Sequence, residues 1–121
     1  MQANIDKAAL DKLLENVHTL DEKIKDAVFD EITLTALEIE SDAKNIITAN
    51  KSVVTGRLRS SIKAIWDREK FAALVGTNVE YGPYVEFGTA KQNAKPFLYP
   101  AYFAGIGRLS RNLQNILKDV K

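Results

Sequence analysis

The sequence predicts an α+β domain in which long helices pack on a small antiparallel β-sheet containing a β-hairpin, followed by a C-terminal helix. Three observations carry that prediction. Ile24, Val28, Ile32, Ala36, Ile39, Ala43 and Ile46 recur three or four residues apart and form one apolar stripe. "SIKAIW" and "FAALVG" are short strand-like runs on either side of the polar stretch Asp67 to Lys70, which is the pattern of a hairpin. Ile106, Leu109, Leu113, Ile116 and Val120 form a second helical stripe at the C-terminal end.

Taken in order, residues 6–18 read as a short helix, with Leu10, Leu13, Leu14 and Val17 at helical spacing and Asp6 as its cap. Asp21 opens the long helix, which runs to about Asn50 and keeps Glu22, Lys25, Asp26, Glu38, Asp42 and Lys44 mostly off its stripe. A helix of about 28 residues spans about 40 Å, more than a domain of this size covers alone, so part of it is expected to reach into a neighbour. Thr55 is placed to cap a single helical turn over residues 56–60. In the first strand Ile62, Ala64 and Trp66 share one face, and Ser61 and Lys63 the other. The second strand is apolar on both faces, which predicts cover on both sides. Pro96 and Pro100 fit the first turn of the last helix, where their missing N–H groups have no partner in any case. Gly105 and Gly107 each weaken that helix by about 1 kcal/mol relative to Ala, which predicts a bend or close packing there.

The 121 residues fit one domain, 1–121, with 1–20 a loosely attached N-terminal helix and 80–95 an irregular docking loop. Lys and Arg number 17 against 16 Asp and Glu, a balance that argues against a nucleic-acid binder held by bulk charge. With no cysteine, neither a disulfide framework nor a thiolate metal site can form. No basic region followed by an apolar run opens the chain, and no apolar stretch approaches the roughly 20 residues of a membrane span, so a soluble protein is expected. His18, the single histidine, has no matched partner and reads as a surface or helix-end residue. "GIG" at 105–107 lacks the third glycine and the preceding strand of a nucleotide loop and reads as packing glycines. No catalytic constellation, cofactor site or metal site is expected, and the chain reads as something other than an enzyme.

Two segments remain. "TGRLRSS", residues 55–61, sets Arg57 and Arg59 beside hydroxyl residues, a composition found at phosphate contacts and equally in a capped turn whose Leu58 enters the core. "EYGPYVEFGTAKQNAKPFLYP", residues 80–100, holds five of the nine Phe and Tyr residues among five Gly and Pro residues. Tyr81, Tyr84 and Phe87 lie three apart, so a short helix from Pro83 could turn them to the core, or they could form an interface. "YGPYVEF" reads as a helical turn presenting Tyr84 or Glu86 outward, and Phe97 and Leu98 as the apolar anchor of the last helix. "GTAKQNA" between them is the part expected to move or dock.

Three motifs stand in order: Thr55-Gly56-Arg57-Leu58, then Val75-Gly76 through Tyr84-Val85-Glu86-Phe87-Gly88, then Pro96-Phe97-Leu98-Tyr99-Pro100-Ala101. Their order and spacing resemble the tail-component family of long-tailed bacteriophages, over roughly residues 20–120. One departure is Val54, where relatives often carry an acidic residue before the Thr-Gly pair. The resemblance implies a structural virion-assembly protein of a phage or prophage neck, made in the host cytoplasm, that joins or completes the tail at the DNA-filled head. It implies a homo-oligomeric ring, monomeric when free, around a channel through which DNA passes without sequence-specific binding, and no membrane. Implied partners are a head-closure or connector protein and the tail terminator or tail tube. No catalytic residue is carried over. Arg57, Arg59, Tyr81, Tyr84, Glu86, Phe87, Lys91 and Lys95 are the candidates for the subunit or partner contact. Alternatives are a tail terminator capping the tail tube, and a small DNA-binding domain using Arg57, Arg59, Lys63, Arg68, Lys91 and Lys95.

Overall fold

A computed structural model describes residues 2–4, 22–50 and 55–118; the helix expected over 6–18 and its His18 lie outside them. The long helix α1 spans Glu22–Asn50 and α2 spans Thr55–Ser61. The predicted cap falls on the side chain of Thr55, outside the described atoms. Along α1, Val28, Ile32, Ala36, Ile39, Ala43 and Ile47 are all buried, with Ile24 and Ile46 packed beside them. The stripe is therefore covered within the chain over most of its length.

Part of that cover is α4, Leu98–Lys118, which buries Leu98, Ala101, Gly105, Leu109 and Leu113. Asn112 meets Glu31 while Gly105 meets Ile39, so the two helices run antiparallel. Close packing at Gly105 matches the sequence: a Cβ there would lie 2.5 Å from Ile39 Cγ1. At Gly107 a Cβ would meet only Arg111, at 3.6 Å. Arg108 ties the helices from the side, donating to Glu38 at 3.0 Å and Asp42 at 3.1 Å.

The rest of the cover is a three-stranded antiparallel sheet in the order β1-β3-β2, with β1 Gln2–Asn4, β2 Lys63–Asp67 and β3 Ala72–Gly76. Pairings Ala64↔Val75 and Trp66↔Ala73 put these side chains on the helix-facing side, where Ala73 and Val75 are buried. Trp66 shares that face, as its spacing predicted, but sits at the hairpin end and stays half exposed. Among the described residues no element covers the opposite face, where the sequence predicted cover. Ile65 and Leu74 stand there with Lys63, Gly76, Ser61, Thr77 and Asn78 around an open groove of about 340 Å³. The hairpin turn is tied back to α1. Asp67 accepts the Glu69 N–H at 3.0 Å, and Phe71 takes a left-handed φ of 48° that sets its ring edge-on to Phe29. Arg68 stacks over Phe29 and pairs with Asp26 and Glu22. The third strand, β1, was not predicted; three residues are too few to show an alternation.

Candidate functional site

The site is built where α2, the link after β3 and the short helix α3, Gly82–Phe87, come together. Leu58 is buried, as the capped-turn reading required, while Arg57 and Arg59 are exposed on the other side of α2. Arg57 lies over the ring of Tyr81, 5.7 Å from its centre, and Arg59 donates from Nε to Thr48 Oγ1 at 3.1 Å. Hydroxyl groups join α2 to the chain before α3. The Val79 N–H donates to Thr77 Oγ1 at 3.1 Å, Thr77 and Ser61 share a hydroxyl contact, and Ser61 Oγ donates to Leu58 O at 2.6 Å. Since Ser61 spends its only proton on Leu58, Thr77 is the donor between the two hydroxyls.

Helix α3 does start with Pro83 in its first turn. Its outward face is formed by Tyr84 and Phe87, each 61% exposed, while Tyr81 is half-buried. Glu86 corrects the expectation that it is presented outward: it is 2% exposed and points to the start of α4. Its Oε1 accepts the N–H groups of Phe97 at 3.2 Å and Leu98 at 2.8 Å, and Oε2 accepts that of Tyr99 at 3.4 Å. The first N–H groups of a helix have no partner inside it and carry partial positive charge, so a carboxylate satisfies them well. Glu86 thus belongs to the frame under the surface rather than to the surface.

The "GTAKQNA" segment is a hydrogen-bonded turn. Thr89 and Gln92 exchange backbone bonds at 2.9 and 3.3 Å, Lys91 N–H donates to Thr89 Oγ1 at 3.2 Å, and Lys95 N–H donates to Val85 O at 2.8 Å. Gly88 makes the turn possible with φ 78°; a Cβ there would lie 2.7 Å from the Ala94 nitrogen. The turn holds Lys91 and Lys95 out in solvent beside α3.

Phe97 and Leu98 are fully buried, the anchor that the sequence predicted. Two of the three rings after them extend the surface instead. Phe87 packs against Tyr99 at 5.8 Å between centres, Tyr99 stacks with Phe103 at 6.2 Å, and Phe103 is 66% exposed. Sequence reasoning missed Tyr99 and Phe103 as surface residues, although they lie one turn apart and off the Ile106–Leu113 stripe. The basic set offered for DNA is not brought together. Arg68 is held at the start of α1 and Arg59 near its end, about 33 Å apart along a helix rising 1.5 Å per residue.

Among the described residues no cluster of His, Asp and Glu is arranged to hold a metal ion, and no helix is long and apolar enough to cross a membrane. What the site offers is an ordered row of rings beside free-standing lysines, the construction of a contact surface. Residues 11–88 match the model of the family described as "Bacteriophage HK97-gp10, putative tail-component". The chain belongs to this HK97-gp10-like family of phage tail components. The match ends at Gly88, so the Pro96–Ala101 motif lies beyond it. No curated protein and no solved structure gives a significant match.

Proposed function

We propose that this tail component works at the neck of the virion, joining or completing the tail at the head–tail interface as a ring around the DNA channel. The row Tyr84, Phe87, Tyr99 and Phe103 carries the reading, because exposed rings held by a rigid frame are what binding hot spots are made of. Its role is architectural: it asks for surfaces and a stable fold, and for no catalytic residue or cofactor. Tyr84, Phe87, Lys91 and Lys95, with the Arg57–Tyr81 pair beside them and Arg59 on the same helix as Arg57, make the contact, and Glu86 holds it in place from beneath. A head-closure or connector protein lies on one side of the ring and the tail terminator or tail tube on the other. A net charge of +1 suits a conduit, since a wall that gripped many phosphates would hold DNA and oppose its passage. The free chain is a monomer that closes into the ring on the particle.

Electron microscopy of particles assembled without this protein tests the reading. Full heads and full tails that remain separate are expected. Tails of uncontrolled length would overturn it in favour of the tail terminator, and normal joined particles would overturn both.

A further inference from the structure

A ring of identical subunits is closed by a head-to-tail contact, in which one patch meets a different patch on the next copy. The described surface contains a second apolar patch of the required kind. Leu34 and Leu37 are 48% and 42% exposed on the side of α1 away from its buried stripe, among the polar residues Asp30, Ser41 and Asn45. They are one helical turn apart, so they project together.

The two patches stand on separate flanks. α4 turns Arg108 and Asn112 toward α1, whereas Phe103 lies about 140° round α4 from Arg108. They also differ in charge. Asp30 and Glu31 sit beside Leu34, and Glu38 and Asp42 share the single guanidinium of Arg108, which leaves the α1 patch in negative excess. Lys91 and Lys95 border the ring row, and among the described residues neither has an ion pair. Complementary charge around two apolar patches fixes register and speeds encounter.

From this we infer that the occupant of the aromatic row is a second copy of this chain, whose Leu34 and Leu37 seat against Phe87, Tyr99 and Phe103 while its Asp30 and Glu31 face Lys91 and Lys95. The inference rests on the ring reading above. A contact of this kind is heterologous: the α1 patch of each copy remains available to the next, so the chain of contacts continues until rotation closes it.

The absence of cysteine makes the test clean, because any disulfide must join introduced residues. Leu34→Cys and Phe103→Cys are made as separate variants, both at exposed positions, mixed, assembled onto particles and oxidised. A disulfide forms only where the Cα atoms come within about 7 Å. The expected product is a covalent dimer containing one copy of each variant, at least about tenfold more abundant than any dimer from either variant alone. Lys91→Glu with Lys95→Glu on the Phe103→Cys copy lowers that yield about tenfold, and Asp30→Lys with Glu31→Lys on the Leu34→Cys copy restores it. A ring visible at the neck without the mixed dimer overturns this pairing and leaves the ring standing. Particles that hold no oligomer of the chain overturn the ring and the pairing together. A mixed dimer insensitive to both charge reversals overturns the role given to the charges.

Discussion

Glu86 is where a structural role and a contact role give opposite predictions. In Glu86→Ala the side chain that accepts from Phe97, Leu98 and Tyr99 is gone. The bond to Tyr99, at 3.4 Å, is long and contributes little, so two good bonds set the magnitude. Each buried donor left without an acceptor costs about 1–3 kcal/mol. Water reaches the half-buried end of the turn and offsets part of this, so the loss comes to about 3 kcal/mol, a large share of the roughly 5–15 kcal/mol that holds a domain together. Glu86→Gln keeps one oxygen where Oε1 now takes both short bonds. It gives up the negative charge at the helix start, a loss of about 1 kcal/mol. Urea unfolding of the isolated chain, read by circular dichroism, separates the cases. At a slope of about 2 kcal/mol per molar urea, the midpoint falls by about 1.5 M for Ala and about 0.5 M for Gln. An unchanged midpoint for Glu86→Ala, together with lost assembly, would refute the argument and return Glu86 to the contact surface. Equal losses for Ala and Gln would show that charge, rather than the placement of the acceptor, dominates.

Gly105 and Gly107 lie two residues apart in α4 and should respond to alanine with opposite signs. Gly105→Ala forces a Cβ to within 2.5 Å of Ile39 Cγ1 and loses about 1–2 kcal/mol net of the helix-propensity gain, whereas Gly107→Ala meets only the tip of Arg111 and gains up to about 1 kcal/mol. Melting temperatures on the same instrument check this, and a shift of the same sign at both positions contradicts it. Thr77→Val keeps the shape but removes the hydroxyl between Ser61 and the Val79 N–H, and denaturant titration should show a loss of about 1–3 kcal/mol. Tyr84→Ala and Phe87→Ala, both at largely exposed rings, should leave unfolding within about 1 kcal/mol of the parent and reduce incorporation into particles; if both unfold the monomer, the rings are core and the contact reading fails.

Long periodic elements were legible in the sequence because a period repeated over many residues averages out local exceptions. The stripe of α1, that of α4 as far as Ile116, and the two hairpin strands lie where the spacing put them, and Val120 is outside the described residues. The six-residue helix α3 offers no such averaging. On its wheel Tyr84 and Phe87 lie about 60° apart and Glu86 well away from both, so the pattern sets two rings against one carboxylate. Hydrophobicity alone turns the rings inward. The structure does the reverse, because what faces α3 from within is the start of α4 with its unpaired N–H groups, and these need an acceptor more than a ring. That demand comes from residues eleven to thirteen positions away, with no local signature. The cover over the α1 stripe was not legible for a similar reason. A helix of 29 residues looks too long for the domain until a sheet and a second helix of 21 residues are laid along it together.

The three motifs that carried the resemblance meet in space at one place. Leu58 of the first comes up against Gly82 of the second, where a Cβ would lie 3.8 Å from it, and Ser61, just past the first, reaches Thr77 in the second. Glu86 of the second holds the backbone of the third. Their main product is therefore a rigid frame that fixes the direction of α3 and the entry angle of α4. The groups proposed to touch a neighbour are only partly inside them: Tyr84, Phe87 and Tyr99 are, while Leu34, Leu37, Lys91, Lys95 and Phe103 are not. A frame and a contact surface answer to different constraints, since the first must satisfy buried polar groups and the second must fit a partner. Changes in the frame should cost stability first and assembly only through it. Changes at Leu34 or Phe103 should cost assembly alone, and this is the separation by which a tail component can keep one fold while meeting different neighbours.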